Sequence, residues 1–134
     1  MMLALLLLAA SPFSFRETGH QAVVLEDHGA PVYVYNYGPV LKAGFPAEMS
    51  RSDYLHPVYA PDGTAITDDF NPDHPHHRGI SWMWQVVKVE GQTYDLWTVK
   101  GIKAKFVKWT ARETKRDHAR LAVDQLPSAG GLRD

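Results

Sequence analysis

The chain has 134 residues, seven histidines, no cysteine and a formal charge of −1. That length suits a single domain, and the missing cysteines exclude disulfides, thiolate metal sites and cysteine nucleophiles together. Lys and Arg are scattered singly among Asp and Glu, which argues against a nucleic-acid partner recognised through its phosphates.

The opening MMLALLLLAAS carries a short apolar run over residues 3–10 followed by small residues. This is the shape of a secretory leader, so residues 1–14 read as a leader and the protein as exported, to the periplasm or beyond the cell. The run is too short for a membrane span, which needs roughly 20 apolar residues. After it, apolar positions recur every second residue. GHQAVVLEDHGAPVYVYNYG predicts two strands joined by a turn at Asp27, His28 and Gly29. Residues 39–53 read as a loop, broken by Pro39, Gly44 and Pro46. YLHPVYAPDGTAIT predicts a hairpin turning at Pro61, Asp62 and Gly63, where Pro presets φ and Gly accepts a positive one.

ISWMWQVVKV, residues 80–89, is rich in aromatic and β-branched residues and predicts a strand. Glu90 and Gly91 punctuate it before QTYDLWTV resumes the extended pattern. KAKFVKWTARET and HARLAVDQL predict a last pair across residues 115–117. No segment carries a helical stripe beyond about two turns. The expected fold is therefore all-β, an antiparallel sandwich over residues 15–125 with a flexible tail at 126–134.

The densest chemistry lies in DHPHHRGISWMW, residues 73–84, with three histidines, an acid, an arginine and two tryptophans. Read as extended backbone, His74, His76 and Arg78 share one face while His77 points away. Pro75 places the stretch at a strand entrance or in a loop. Three readings stand side by side. His74 and His76 could hold a divalent metal with His56 or Asp73, although no glutamate follows within ten residues to complete the set. Alternatively, His74, His76, His77 and Arg78 could do acid/base and hydrogen-bond chemistry on a sugar or sugar acid. His56 and Asp73 would then line the site, and Trp82 or Trp84 would offer a flat apolar face. The third reading is structural, with the histidines and Asp68, Asp69 and Asp73 merely pinning a loop. On composition alone Trp82, Trp84, Trp97 and Trp109 read as core or sheet cover, and His20, His28 and His118 as surface residues.

The string YLHPVYAPDGTAITDDFNPDHPHHRGISWMW, with YDLW and KGIKAKFVKW after it, resembles the bacterial PmoA-like family over residues 15–123. The matching motif residues are His56, His74, His76, His77 and Arg78. The resemblance implies an exported protein associated with saccharide degradation and a β-sandwich similar to the galactose-mutarotase superfamily. That superfamily binds carbohydrate in a cleft using histidines, an arginine and a distant carboxylate. Members of the PmoA-like family are generally about twice this length, which implies that the present chain is an incomplete supersandwich with half a site. Uncovered sheet edges would then favour self-association.

Overall fold

A computed structural model describes residues 10–129. The leader run lies almost wholly outside the described residues, as do residues 130–134 of the expected tail. Among the described residues the fold is all-β and antiparallel, in three sheets. Strands β1 (Phe13–Thr18), β2 (Ala22–Asp27), β3 (Ala30–Asn36) and β4 (Tyr54–Val58) form a four-stranded sheet in chain order. β5 (Val87–Val89) pairs with β6 (Gln92–Tyr94), and β7 (Ile102–Thr114) with β8 (Ala119–Ala129).

The turns follow from their residues. His28 and Gly29, with φ of 50° and 81°, join β2 to β3, and Glu90 and Gly91, with φ of 50° and 80°, join β5 to β6. Two consecutive positive φ values match the right-handed twist of the flanking strands. At Pro61, Asp62 and Gly63 the backbone closes as expected. Gly63 has φ 85° and the Asp62 carboxylate accepts the Thr64 N–H at 2.9 Å. Only a bridge between Tyr59 and Ala65 continues this hairpin, so its second arm is not a full strand.

β2 has Ala22, Val23, Val24 and Leu25 all buried, as a central strand covered on both faces must be. The β7–β8 hairpin packs across the sheet in sandwich fashion, where the rings of Tyr35 and Tyr37 meet Trp109 at 5.8 and 5.2 Å. Tyr37 also meets Phe106 at 5.0 Å. Arg112 ties the layers from outside by an ion pair to Glu17. The register of β7 against β8 shifts twice, between Phe106 and Lys108 and between Trp109 and Ala111. Val107 falls at one of these bulges and is exposed despite being apolar. A second small core joins Leu96, Ile102 and Ala129 to Val87, Val89 and Tyr94.

Three sequence expectations are corrected here. Residues 126–129 are not a tail: they complete β8, and Ala129 is 3% exposed because it packs on Leu96 and Ile102. β1 starts at Phe13, inside the stretch assigned to the leader, and continues through FSFRET as a strand the pattern had not marked. Residues 80–86 are not a strand. Ile80 makes a single bridge to Leu55, and regular pairing resumes only at Val87. Their aromatic and branched side chains fit a sheet surface, but pairing needs a neighbouring ladder as well. Among the described residues no helix is long and apolar enough to cross a membrane.

Candidate functional site

The histidine stretch is built as a tight turn on a buried cationic clasp. The His77 N–H donates to the His74 carbonyl at 2.9 Å, with Pro75 in the second turn position where its fixed φ belongs. Upstream, the Asn71 side-chain Oδ1 accepts from the N–H groups of Asp73 and His74 at 2.9 and 3.3 Å. Beneath the turn lies Arg51, only 2% exposed. Its guanidinium donates to the carbonyls of Pro75 (2.7 Å), His77 (3.1 Å) and Met49 (3.1 Å) and to the Asp69 carboxylate (3.0 Å). It also lies 3.5 Å from the centre of the Phe70 ring. The other Asp69 oxygen accepts the hydroxyl of buried Tyr54 at 2.7 Å.

This turn gathers the three imidazoles. His74 and His77 stack at 4.8 Å, and His76 meets His77 edge-on at 4.6 Å and His74 at 6.0 Å. One nitrogen from each ring can be chosen so that all three lie within 4.8 Å of one another. Trp97 borders the group, 5.7 Å from His76 and 6.0 Å from His77. The expectation that His77 points away from the other two is therefore corrected. It assumed the twofold alternation of a strand, whereas a turn reverses direction and brings its first and fourth residues together.

Arg78 leaves the turn inward. It is 5% exposed, its Nη2 donates to the Leu96 carbonyl at 2.8 Å, and its Nη1 is buried with no acceptor among the described residues. Burial first, and then the charge of Arg51, lower its pKa to about 10, which still leaves it cationic at neutral pH. His76 is also held below the ordinary imidazole value, by burial first and then by His77, His74 and Arg78. An open hollow of about 530 Å³ runs past His77 and Arg78, with Asp68, Met83 and Trp97 on its walls.

The remaining sequence candidates lie apart from this group. The His56 ring bonds the Thr67 hydroxyl at 2.9 Å, and its carbonyl accepts from Asn36 at 2.7 Å, so His56 fastens β4 to its surroundings. Asp73 is exposed and stands outside the three-histidine group. Trp82 and Trp84 are neither core nor beside the histidines. They are 71% and 57% exposed and stack on each other at 6.2 Å. Trp82 faces a different hollow of about 670 Å³, shared with Tyr33, Tyr35 and Asp53. Burial raises the Asp53 pKa, partly offset by hydrogen bonds from Ser52 and Tyr35.

Sequence reasoning thus missed Arg51, Trp97 and Asp53. Arg51 sits in MSRSDY with no motif around it, and the one available hint was the surplus of acids at Asp68 and Asp69 across the next hairpin.

The sequence pattern described as "Family of unknown function (DUF6807)" matches residues 22–126, from the first residue of β2 to deep within β8. The chain belongs to this family. The match takes in the whole histidine turn, Arg51 and Trp97, so the clasp and the cluster both lie inside the family's own domain. No curated protein matches the chain, and no solved structure does.

Proposed function

We propose that the chain holds a saccharide or sugar-derived small molecule in the hollow beside Arg78, and that the neighbouring histidines transfer protons to and from it. The observation that carries this reading is the buried, unpartnered Nη1 of Arg78. A buried donor without an acceptor costs about 1–3 kcal/mol, and a sugar hydroxyl or carboxylate oxygen would supply the acceptor. A planar guanidinium suits such oxygens because its donors are fixed in a fork. Trp97 would lend an apolar face to the C–H side of the ring, as saccharide pockets commonly require. His76, whose pKa burial and the neighbouring His77, His74 and Arg78 hold below the ordinary imidazole value, would serve as proton acceptor, with His74 or His77 placed to relay. His56, tied to Thr67, would position β4 rather than touch the ligand.

Membership in the PmoA-like family, export and self-association go with this reading. They are supported by the histidine motif, the apolar leader and the exposed Trp82, Trp84, Val86 and Leu126 respectively. Cell fractionation and sedimentation velocity test the last two.

The saccharide reading is tested by calorimetry against a panel of oligosaccharides and keto-sugars, followed by a search for product. Arg78→Lys keeps the charge and loses the fork, and should weaken binding by about tenfold, equivalent to about 1.4 kcal/mol, with an unchanged circular dichroism spectrum. If no member of the panel binds, the reading fails. Binding without turnover would instead favour a glycan-binding module. Product formation unchanged in His76→Ala would remove His76 as the base.

A further inference from the structure

We infer that His74, His76 and His77 form a three-imidazole site for one divalent transition-metal ion, open at its fourth position toward the hollow beside Arg78. This does not depend on saccharide binding in the hollow, and it replaces the proton-transfer role given to these rings above, because an imidazole nitrogen that holds a metal cannot also accept a proton.

The first argument is spatial. Three ring nitrogens already lie within 4.8 Å of one another. Around a tetrahedral zinc with Zn–N bonds of about 2.05 Å, ligand nitrogens sit about 3.3 Å apart. Rotation of the exposed His74 and His77 rings would have to close the remaining difference of about 1.5 Å.

The second argument is the rings' lack of other employment. Elsewhere in the chain, His28 and His118 bond the Asp preceding each at 2.7 and 2.8 Å, and His56 bonds Thr67. Among the described residues, the rings of His74, His76 and His77 make no hydrogen bond to the protein, and their ring contacts are with one another and with Trp97. Three imidazoles gathered this closely, with no protein partner for their ring nitrogens, present one donor atom each to a shared cation.

The third is preorganisation. Arg51 grips the carbonyls of Pro75 and His77, and the His77 N–H closes onto His74. The backbone that carries the ligands is therefore held from beneath by a buried side chain, and little ordering is left for the metal to impose.

The donor set also fixes the kind of ion and the kind of site. Imidazole nitrogens select zinc, copper, nickel or cobalt over magnesium and calcium, which prefer oxygen. Three protein ligands leave one position for water or a ligand oxygen, as in catalytic rather than closed structural zinc sites. His77 lines the hollow, so that position is within reach of whatever the hollow holds. A bound dication beside Arg78 would favour an anionic or deprotonated oxygen as its fourth ligand.

The test uses the full chain, stripped with chelator and titrated with zinc and with cobalt. One metal per chain should bind, cobalt should show the intense visible bands of a tetrahedral complex, and three of the seven histidine ring signals in nitrogen-15 spectra should shift. His74→Ala, His76→Ala and His77→Ala should each lower zinc affinity by at least about tenfold, and His74→Asn and His77→Asn give a second, more conservative pair at the same exposed positions. A variant altering both His28 and His118 should bind as the parent does. Stoichiometry other than one, or single variants that bind as tightly as the parent, would overturn the site. An equal loss from the His28 and His118 variant would do the same, as the mark of adventitious binding. These readouts report the metal directly, so they succeed or fail separately from the saccharide titrations with Arg78→Lys.

Discussion

Replacing Arg51 with methionine is expected to lower the unfolding free energy by about 3–5 kcal/mol, the cost typical of breaking a buried ion pair from one side. The side chain of Arg51 is 1% exposed and that of its partner Asp69 7%. Methionine would fill much of the volume, but it would leave the Asp69 carboxylate with only the Tyr54 hydroxyl and the Phe70 N–H as donors. The Pro75 and His77 carbonyls, now held by the guanidinium, would also lose this donor. Burial already pushes the Arg51 pKa down, and the Asp69 charge pushes it back up. The two are thus coupled in a desolvated setting where one charge without the other is costly. Arg51→Lys should recover only part of the loss, since one ammonium cannot span four acceptors on three sides. Urea unfolding of Arg51→Met, Asp69→Asn and the double variant measures this. The double variant should be less destabilised than the sum of the two singles, by roughly 1–3 kcal/mol of coupling. A loss below about 1 kcal/mol in Arg51→Met, the range of an ordinary surface pair, would show that the histidine turn does not hang on this residue.

Gly79→Ala is expected to cost about 3–4 kcal/mol, combining the overpacking of a tight contact with a left-handed backbone. Gly79 has φ +37°, and a Cβ there would be driven into the backbone carbonyl oxygen of Leu55. Another neighbour, the His56 Cβ, would stand 3.0 Å away. Neither can yield easily. Leu55 and Ile80 exchange both backbone hydrogen bonds, at 2.9 and 3.0 Å, and the Gly79 N–H itself donates to the Asp68 carbonyl at 2.9 Å. The close approach is what lets the segment after the histidines lie against β4, so the substitution should also expose the Leu55 and Ile80 amides to hydrogen exchange. Gly19→Ala is the control. Gly19 has open space around its Cβ position and lies outside the positive-φ set, so its stability should stay within about 0.5 kcal/mol. Equal midpoints for the two variants in urea would refute the packing argument.

The parts of this fold that sequence made legible are those set by single residues acting locally. His28 with Gly29 and Glu90 with Gly91 announce hairpins because few residue pairs tolerate two positive φ angles in succession. The buried run AVVL marks a central strand, and the histidines mark themselves by their density. What stayed hidden depends on partners distant in the chain. ISWMWQ has the composition of a strand, but only Ile80 finds a bridge. The bulges near Val107 and Thr110 shift the β7 register without any glycine to flag them. Which tryptophan borders the imidazoles was hidden for the same reason. Trp97 reaches them from the turn after β6, whereas Trp82 and Trp84, much nearer in sequence, stack on each other in the open. The polar interior was least legible, because an arginine in a loop looks the same on paper whether water or carbonyls surround it.

All the strand ladders join neighbours in the chain, from β1 with β2 through to β7 with β8. Such local pairings can zip up soon after collapse, since little chain must be gathered to start each one. The grip of Arg51 on the histidine turn is different in kind, bridging separations of 18 to 26 residues. Extra loop length alone makes this a modest burden, about 0.6 kcal/mol for each doubling. The larger demand is simultaneity: carbonyls, carboxylate and ring must all be in place before the guanidinium gives up its water. The imidazole cluster is therefore gathered by contacts that must all be present together, and its geometry reports whether the framework beneath it is whole.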